Sequence, residues 1–200
     1  MTVPASTRLR VALVGAGYVA THHLAALKQL DFVDVVGICD PQLPAAQALA
    51  DRFGVKRVAA RLDDLADLQP QAVYVLTPPA FHAAIALQAM EMGCHVLVEK
   101  PMADTVADCE SMIAAARTHE VQLGVNHSDL FDPVVMQALQ AVRDGRIGDV
   151  VSVEIVRNSE YPPYAGGPLP GSVTQGSYPF RDLGVHGLYT IEAFLGPVRD

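Results

Sequence analysis

The sequence predicts an α/β fold: an N-terminal Rossmann domain with a doubly wound parallel sheet over residues 1–125, followed by the beginning of a second α/β domain over 126–200. Three observations predict it. Short, almost wholly apolar runs alternate with helical patterns through the first 125 residues, as strands covered on both faces require. A glycine turn stands between the first such run and the first helix. Beyond Asn126 the alternation stops and a half-polar pattern begins.

The elements follow in order. Leu9–Val14 is an apolar strand that breaks at Gly15, and Tyr18–Leu30 carries apolar residues at helical spacing. Val33–Cys39 is the second strand. Ala45–Phe53 is an amphipathic helix stopped by Gly54, where a left-handed cap costs least. Val55–Ala59 and Ala72–Leu76 are strands three and four, and a helix over 80–92 closes at Gly93. Val96–Val98, a helix over 105–119 and Val121–Val125 complete the first domain. In the second, a helix over 133–143 ends before Gly145, and Val150–Val156 alternates like a strand with one wet face. Residues 158–180 are rich in Pro, Gly and Tyr and lack periodicity. Leu183–Leu195 is a last helix, stopped by Gly196-Pro197. A lone strand forms no stable sheet, so either the chain is the front of a longer protein or a partner supplies strands. An unpaired edge there predicts homo-oligomers.

Composition narrows the function. The 200 residues are 50% apolar and 18% charged, enough to bury a core. Fourteen Lys and Arg against 22 Asp and Glu give a net charge of −8, which repels nucleic acid and anionic membranes alike. No run approaches the roughly 18 apolar residues of a membrane span, so a cytoplasmic location is expected. Cys39, Cys94 and Cys109 are odd in number and widely spaced, which reads as three reduced thiols. No His, Asp or Cys pair has zinc-ligand spacing with a matching second pair, and no metal is expected.

Gly15-Ala16-Gly17-Tyr18-Val19-Ala20 has the Gly-x-Gly-x-x-Ala spacing of a dinucleotide site. Gly15 permits the tight turn, Gly17 admits a pyrophosphate, and Ala20 allows close helix packing. The N–H groups at the helix start, from Tyr18 and Val19 onward, would face the anion. Asp40, at the end of the second strand, is placed to accept hydrogen bonds from an adenosine ribose and to repel a 2′-phosphate. NAD is therefore favoured, with NADP possible, since a neighbouring basic residue reverses the preference. A glycine turn with no ligand is the plain alternative.

Glu99-Lys100-Pro101 falls at the carboxyl end of the fifth strand, where such sheets bind ligands, although a solvated turn would look the same. Together with Cys39-Asp40-Pro41, Thr77-Pro78-Pro79-x-x-His82, Gly124-Val125-Asn126-His127 and Asp182-Leu183-Gly184-Val185-His186, these segments give the sequence its kinship. It resembles the Gfo/Idh/MocA oxidoreductases, the glucose-fructose oxidoreductase and inositol dehydrogenase family, over nearly all of its length. The resemblance implies a Rossmann domain for NAD or NADP and a C-terminal domain whose open sheet covers a substrate. It also implies reversible hydride transfer at a carbinol carbon of a sugar, cyclitol or related polyol. By matching position, Thr77 and His82 lie along the cofactor, Glu99 and Lys100 reach the nicotinamide ribose and substrate, and Asn126 approaches the nicotinamide. Asp182 and His186 match the family's Asp-x-x-x-His pair. Two departures stand out. Asp129 and Leu130 occupy the region where members often carry an arginine, and members usually run well past 300 residues.

Oxidising an alcohol needs a base near the reacting hydroxyl, and histidine suits neutral pH without tuning. Asp182 and His186 are four apart, so on a helix they share a face. His186 is the expected base, with Asp182 binding a substrate hydroxyl or orienting the imidazole. Lys100 would stabilise alkoxide character, or act as the base itself if burial lowers its pKa. The plain reading makes His186 a helix residue tied to Asp182 for stability alone. His22 and His23 read as packing or surface residues, and His95 and His119 receive no role. Tyr161-Pro162-Pro163-Tyr164 reads as either a substrate-facing loop or a stiff connector. Against the dehydrogenase stands a non-catalytic NAD(P)-binding module or sensor subunit.

Overall fold

The computed structural model describes residues 8–157 and 180–198. It comprises two compact units, Met1–Asn126 and His127–Asp200. Tyr161-Pro162-Pro163-Tyr164 lies outside the described residues.

The first unit is a six-stranded parallel sheet made of β1 (Leu9–Val14), β2 (Val33–Cys39), β3 (Val58–Ala59), β4 (Ala72–Val75), β5 (His95–Val98) and β6 (Leu123–Val125). Its order, β3-β2-β1-β4-β5-β6, is that of a doubly wound dinucleotide-binding sheet. The chain winds outward from β1, then crosses to β4, which makes the β1/β4 boundary the point where strand order reverses.

Side-chain alternation explains the two layers. Val11 and Leu13 point to one face and pack with Ala20, Leu24 and Leu27 of α1 (Tyr18–Leu27) and Ala46, Leu49 and Ala50 of α2 (Leu43–Phe53). Ala12 and Val14 point to the other face, toward Ala86, Ala89 and Met90 of α3 (His82–Glu91) and Met112 and Ala116 of α4 (Val106–Thr118). Each large side chain so buried is worth about 1.5–3 kcal/mol, and the near-unbroken apolar strands follow from having two faces to cover.

Several elements are shorter than their patterns. The first helix ends at Leu27 rather than Leu30, the third strand keeps only Val58–Ala59 of the expected 55–59, and the sixth begins at Leu123 rather than Val121. Pairing, not local propensity, sets strand length, and β3 has only the last two residues of β2 to pair with. Leu62–Leu68 forms a 3-10 stretch that no periodicity announced, with Leu62 and Leu65 buried in the core. Gly54 closes α2 at φ +67. All three cysteines are free thiols. Burial, reinforced by the carboxylates of Asp40, Asp64 and Asp63, pushes the Cys39 thiol up to about 11.

In the second unit a 3-10 turn (Ser128–Phe131) leads into α5 (Pro133–Arg143), whose first turn is capped by the Asp132 side chain accepting the Val134 N–H at 2.8 Å. Two expectations are corrected here. Residues 150–156 join no β-ladder among the described residues, because a strand exists through its neighbours and none is described. The last helix is not uniform either: Phe180–Gly184 is a π-helical turn, and α6 (Val185–Leu195) follows it. Asp182 and His186 thus straddle a change of helical pitch, so their spacing does not carry the shared-face argument made for a regular α-helix. Among the described residues no helix is long and apolar enough to cross a membrane.

Candidate active site

Register builds the first unit's site. Val14 pairs with Cys39 and Val75, Val75 with Val98, and Val98 with Val125. The residues that follow these strand ends, Gly15, Asp40, Leu76, Glu99 and Asn126, therefore stand in a row along the carboxyl edge. Each donates its amide to a neighbouring strand: Gly15 to Cys39, Asp40 to Ala59, Leu76 to Val14, Glu99 to Val75 and Asn126 to Val98, all at 2.8–3.0 Å.

At the start of the row Gly15 has φ +106, and a Cβ there would lie 2.6 Å from the Leu76 carbonyl oxygen. Only glycine fits. Gly17 caps α1 in extended conformation with no side-chain cap, and a Cβ on it would meet nothing within 4 Å. The turn is tight underneath and open above, so the first amides of α1 are presented without a protein cap. The Asp40 carboxylate braces it, accepting the Ala16 N–H on Oδ2 and the Gln42 N–H on Oδ1, both at 2.7 Å. A carboxylate has about four acceptor positions, so capacity for a ribose hydroxyl remains. Ala20 is fully buried beneath the turn. Val19 packs its side chain against the core and Tyr18 is 84% exposed, edge-on to His22.

Farther along, Thr77 Oγ1 is buried and has no hydrogen-bond partner among the described residues. His82 is 0% exposed, with Nε2 2.7 Å from the Thr77 carbonyl oxygen and Nδ1 3.0 Å from that of Pro101. Both nitrogens face main chain, and the ring ties the Thr77 and Pro101 segments together.

Glu99 is the centre of a buried network. Its Oε1 accepts from Asn126 Nδ2 at 2.6 Å and meets His23 Nε2 at 2.9 Å, and its Oε2 accepts the Lys100 N–H at 3.1 Å. Burial alone would push this carboxyl up. The hydrogen bonds of His23 and Asn126, the charge of His23 and the Lys100 amide outweigh it, and the group stays below its ordinary value. His23 is thus no ordinary packing or surface residue. The missed signal lay in the helix: His23 is three residues from Ala20 and four from Leu27, on the face that α1 buries.

In the second unit the groups gather around His186, on α6. Its Nδ1 lies 3.3 Å from Asp129 Oδ1 and also meets the Tyr189 hydroxyl. That hydroxyl accepts the Asp129 N–H at 3.2 Å, and Arg157 Nη1 donates to Asp129 Oδ2. Tyr189 is 6% exposed and stacks on His127 with ring centroids 4.1 Å apart. Burial pushes the Tyr189 phenol up and the His127 imidazole down, the latter opposed by Glu192. Asp182 occupies the π-helical turn just before this helix. Tyr189 was legible at three residues from His186, but Asp129 is 57 positions away and had no periodic signal. Among the described residues no group of three His, Cys, Asp or Glu could hold a metal ion.

Residues 9–127, more than half of the chain, match the Gfo/Idh/MocA family model, described as an oxidoreductase family with an NAD-binding Rossmann fold. The chain belongs to this family. D-glucoside 3-dehydrogenase of Escherichia coli (strain K12) is 33% identical over 198 residues, covering 96% of this chain and 55% of that protein. D-apiose dehydrogenase of Paraburkholderia graminis is 28% identical over 194 residues, covering 96% and 51%. The crystal structure of GenD2 from gentamicin A biosynthesis, in complex with NAD, matches with TM-score 0.79 at 28% identity, covering 98% of this chain and 56% of that one. The chain spans about half the length of the curated relatives it matches.

The family's Rossmann fold is an NAD-binding one, and the residues of this chain fit that cofactor. The start of α1 has no side-chain cap, Asp40 retains acceptor capacity, and the Thr77 hydroxyl is a buried donor with no partner among the described residues.

Proposed function

We propose that the protein is an NAD-dependent dehydrogenase acting on a CH–OH group, moving hydride between the nicotinamide and a carbinol carbon of a sugar, cyclitol or related polyol. The observation that carries this reading is Glu99, buried and held ionised directly beside Lys100 at the carboxyl end of β5. A carboxylate fixed by three donors positions the backbone from which the lysine extends. The relatives' names, a D-glucoside 3-dehydrogenase and a D-apiose dehydrogenase, support the substrate class. Asp40 supports NAD over NADP, because its charge opposes a 2′-phosphate.

NAD, when bound, supplies the ring that accepts hydride. Gly15, Gly17 and the amides of Tyr18 and Val19 would hold the pyrophosphate, Asp40 the adenosine ribose, Thr77 and Asn126 the nicotinamide half. In the first unit Lys100 Nζ donates to the reacting oxygen and stabilises its alkoxide character. In the second, His186 takes the hydroxyl proton and Asp182 binds a further substrate hydroxyl.

Calorimetry with NAD and NADH, followed by an absorbance assay against methyl glucoside, D-apiose and myo-inositol, tests the reading. Turnover on one of them is expected. A Lys100→Ala/His186→Ala double variant should lose at least about a hundredfold in turnover and keep its affinity for NAD. Unchanged turnover in that variant overturns the assignment, and NAD binding with no turnover on any alcohol replaces it with a cofactor-binding module.

A further inference from the structure

The structure puts the carboxylate of Asp129 against the imidazole of His186. Among the described residues Nδ1 of His186 meets Asp129 Oδ1 at 3.3 Å and the Tyr189 hydroxyl. A carboxylate is an acceptor only, so it opposes a lone pair on Nδ1 and favours a hydrogen there. The hydroxyl can serve as acceptor for the same N–H. Asp129 is itself fixed at both ends: Arg157 Nη1 donates to its Oδ2, and its own N–H donates to Tyr189 Oη. Side chain, backbone and phenol make one cluster, packed where the Ser128–Phe131 turn meets α6.

From this geometry we infer that Asp129 is a positioning residue for His186, selecting the tautomer with hydrogen on Nδ1 and the lone pair on Nε2, with Tyr189 as the second hold. The inference rests on the proposed role of His186 as the base. Deprotonation of a substrate hydroxyl needs a lone pair on the nitrogen that meets it, and a carboxylate behind the ring stabilises the imidazolium that results. Among the described residues Asp129 on the preceding turn faces the imidazole and carries Arg157 on its other oxygen, its own helical segment holds Arg181, Asp182 and Glu192, and Tyr189 and His127 are the further titratable groups of the cluster. Helix α5, which packs on α6, carries Arg143 as its one charged residue.

The test follows the imidazole itself, on the full chain labelled with 15N-histidine, the His186 signals being assigned by their loss in His186→Gln. Wild type is expected to show the Nδ1–H tautomer at neutral pH. Asp129→Asn removes the charge but keeps the shape, and should lower the His186 titration midpoint by about one pH unit. Arg157→Gln, at a half-exposed side chain, leaves Asp129 without its counter-charge and should raise the midpoint. Opposite shifts of the two variants establish the coupling. A midpoint unmoved in both, or a wild-type ring with hydrogen on Nε2, overturns it. Neither reading involves NAD or substrate, so failure of the dehydrogenase assignment would leave these shifts in place and be recognised separately by absent turnover.

Discussion

Asp40 Oδ2 accepts the Ala16 amide at 2.7 Å, so the carboxylate proposed to meet the ribose also holds the glycine turn. Its other oxygen holds the Gln42 amide at the start of α2. Hydrogen bonds to a charged acceptor are worth about 1.5–3 kcal/mol each, less where water can replace the acceptor. Asp40→Ala should therefore destabilise the cofactor-free protein by about 2 kcal/mol in urea unfolding and weaken NAD binding as well. Asp40→Asn keeps an acceptor for one amide and loses the charge. It should retain most of the stability while narrowing the preference for NAD over NADP about tenfold, as measured by calorimetry with both nucleotides.

The two glycines of the turn separate structure from binding. At Gly15 a methyl group would strike the Leu76 carbonyl at 2.6 Å, and φ +106 is unfavourable for any side chain. Gly15→Ala should cost about 1–3 kcal/mol or more of stability before any ligand is added. At Gly17 the backbone is extended and the added methyl meets only open space. Gly17→Ala should leave thermal unfolding nearly unchanged and weaken NAD at least tenfold, because the methyl occupies the place where a pyrophosphate approaches. Equal effects of the two variants on stability would contradict this division.

How much of this was legible follows from what each signal depends on. The sheet could be read because β1, β2, β4 and β5 are buried on both faces and their sequences show it directly. Gly15, Asp40, Glu99 and Asn126 could be placed because each follows a strand end, and parallel register aligns strand ends. Partners were harder. His23 reaches Glu99 across 76 positions and Asp129 reaches His186 across 57, and no periodicity encodes a meeting set by tertiary packing. The expected strand over 150–156 failed for a related reason: alternation describes one face of a sheet, but a sheet also needs neighbours.

Glu99 makes the site pH-dependent on the acid side. Its carboxyl is held below the ordinary value of 4.5 in the folded chain. A depressed carboxyl contributes stability at pH values above its unfolded value and loses it as pH falls through the folded one. Urea midpoints should therefore drop below about pH 4.5 as this network is protonated. Glu99→Gln should be less stable than wild type near neutrality, since His23 loses its charged partner, and the gap should close on acidification. A gap that stays constant down to pH 3 would mean that the network contributes no proton linkage.

His82 decides between a scaffold and a ligand contact. The ring is fully buried between the carbonyls of Thr77 and Pro101, in the segments that carry the Thr77 hydroxyl, unpartnered among the described residues, and Lys100. Removing it empties a ring-sized space and takes away the one N–H that a neutral imidazole can donate to either carbonyl, a loss of about 3 kcal/mol. For a chain of this size that corresponds to a thermal midpoint roughly 6–12 °C lower, read in the absence of NAD. A residue that touched the cofactor directly would behave differently, because His82→Ala would then leave the cofactor-free midpoint in place and weaken only NAD binding. The geometry predicts the first outcome, with NAD affinity falling in the same variant as a consequence of the loosened Thr77 and Pro101 segments.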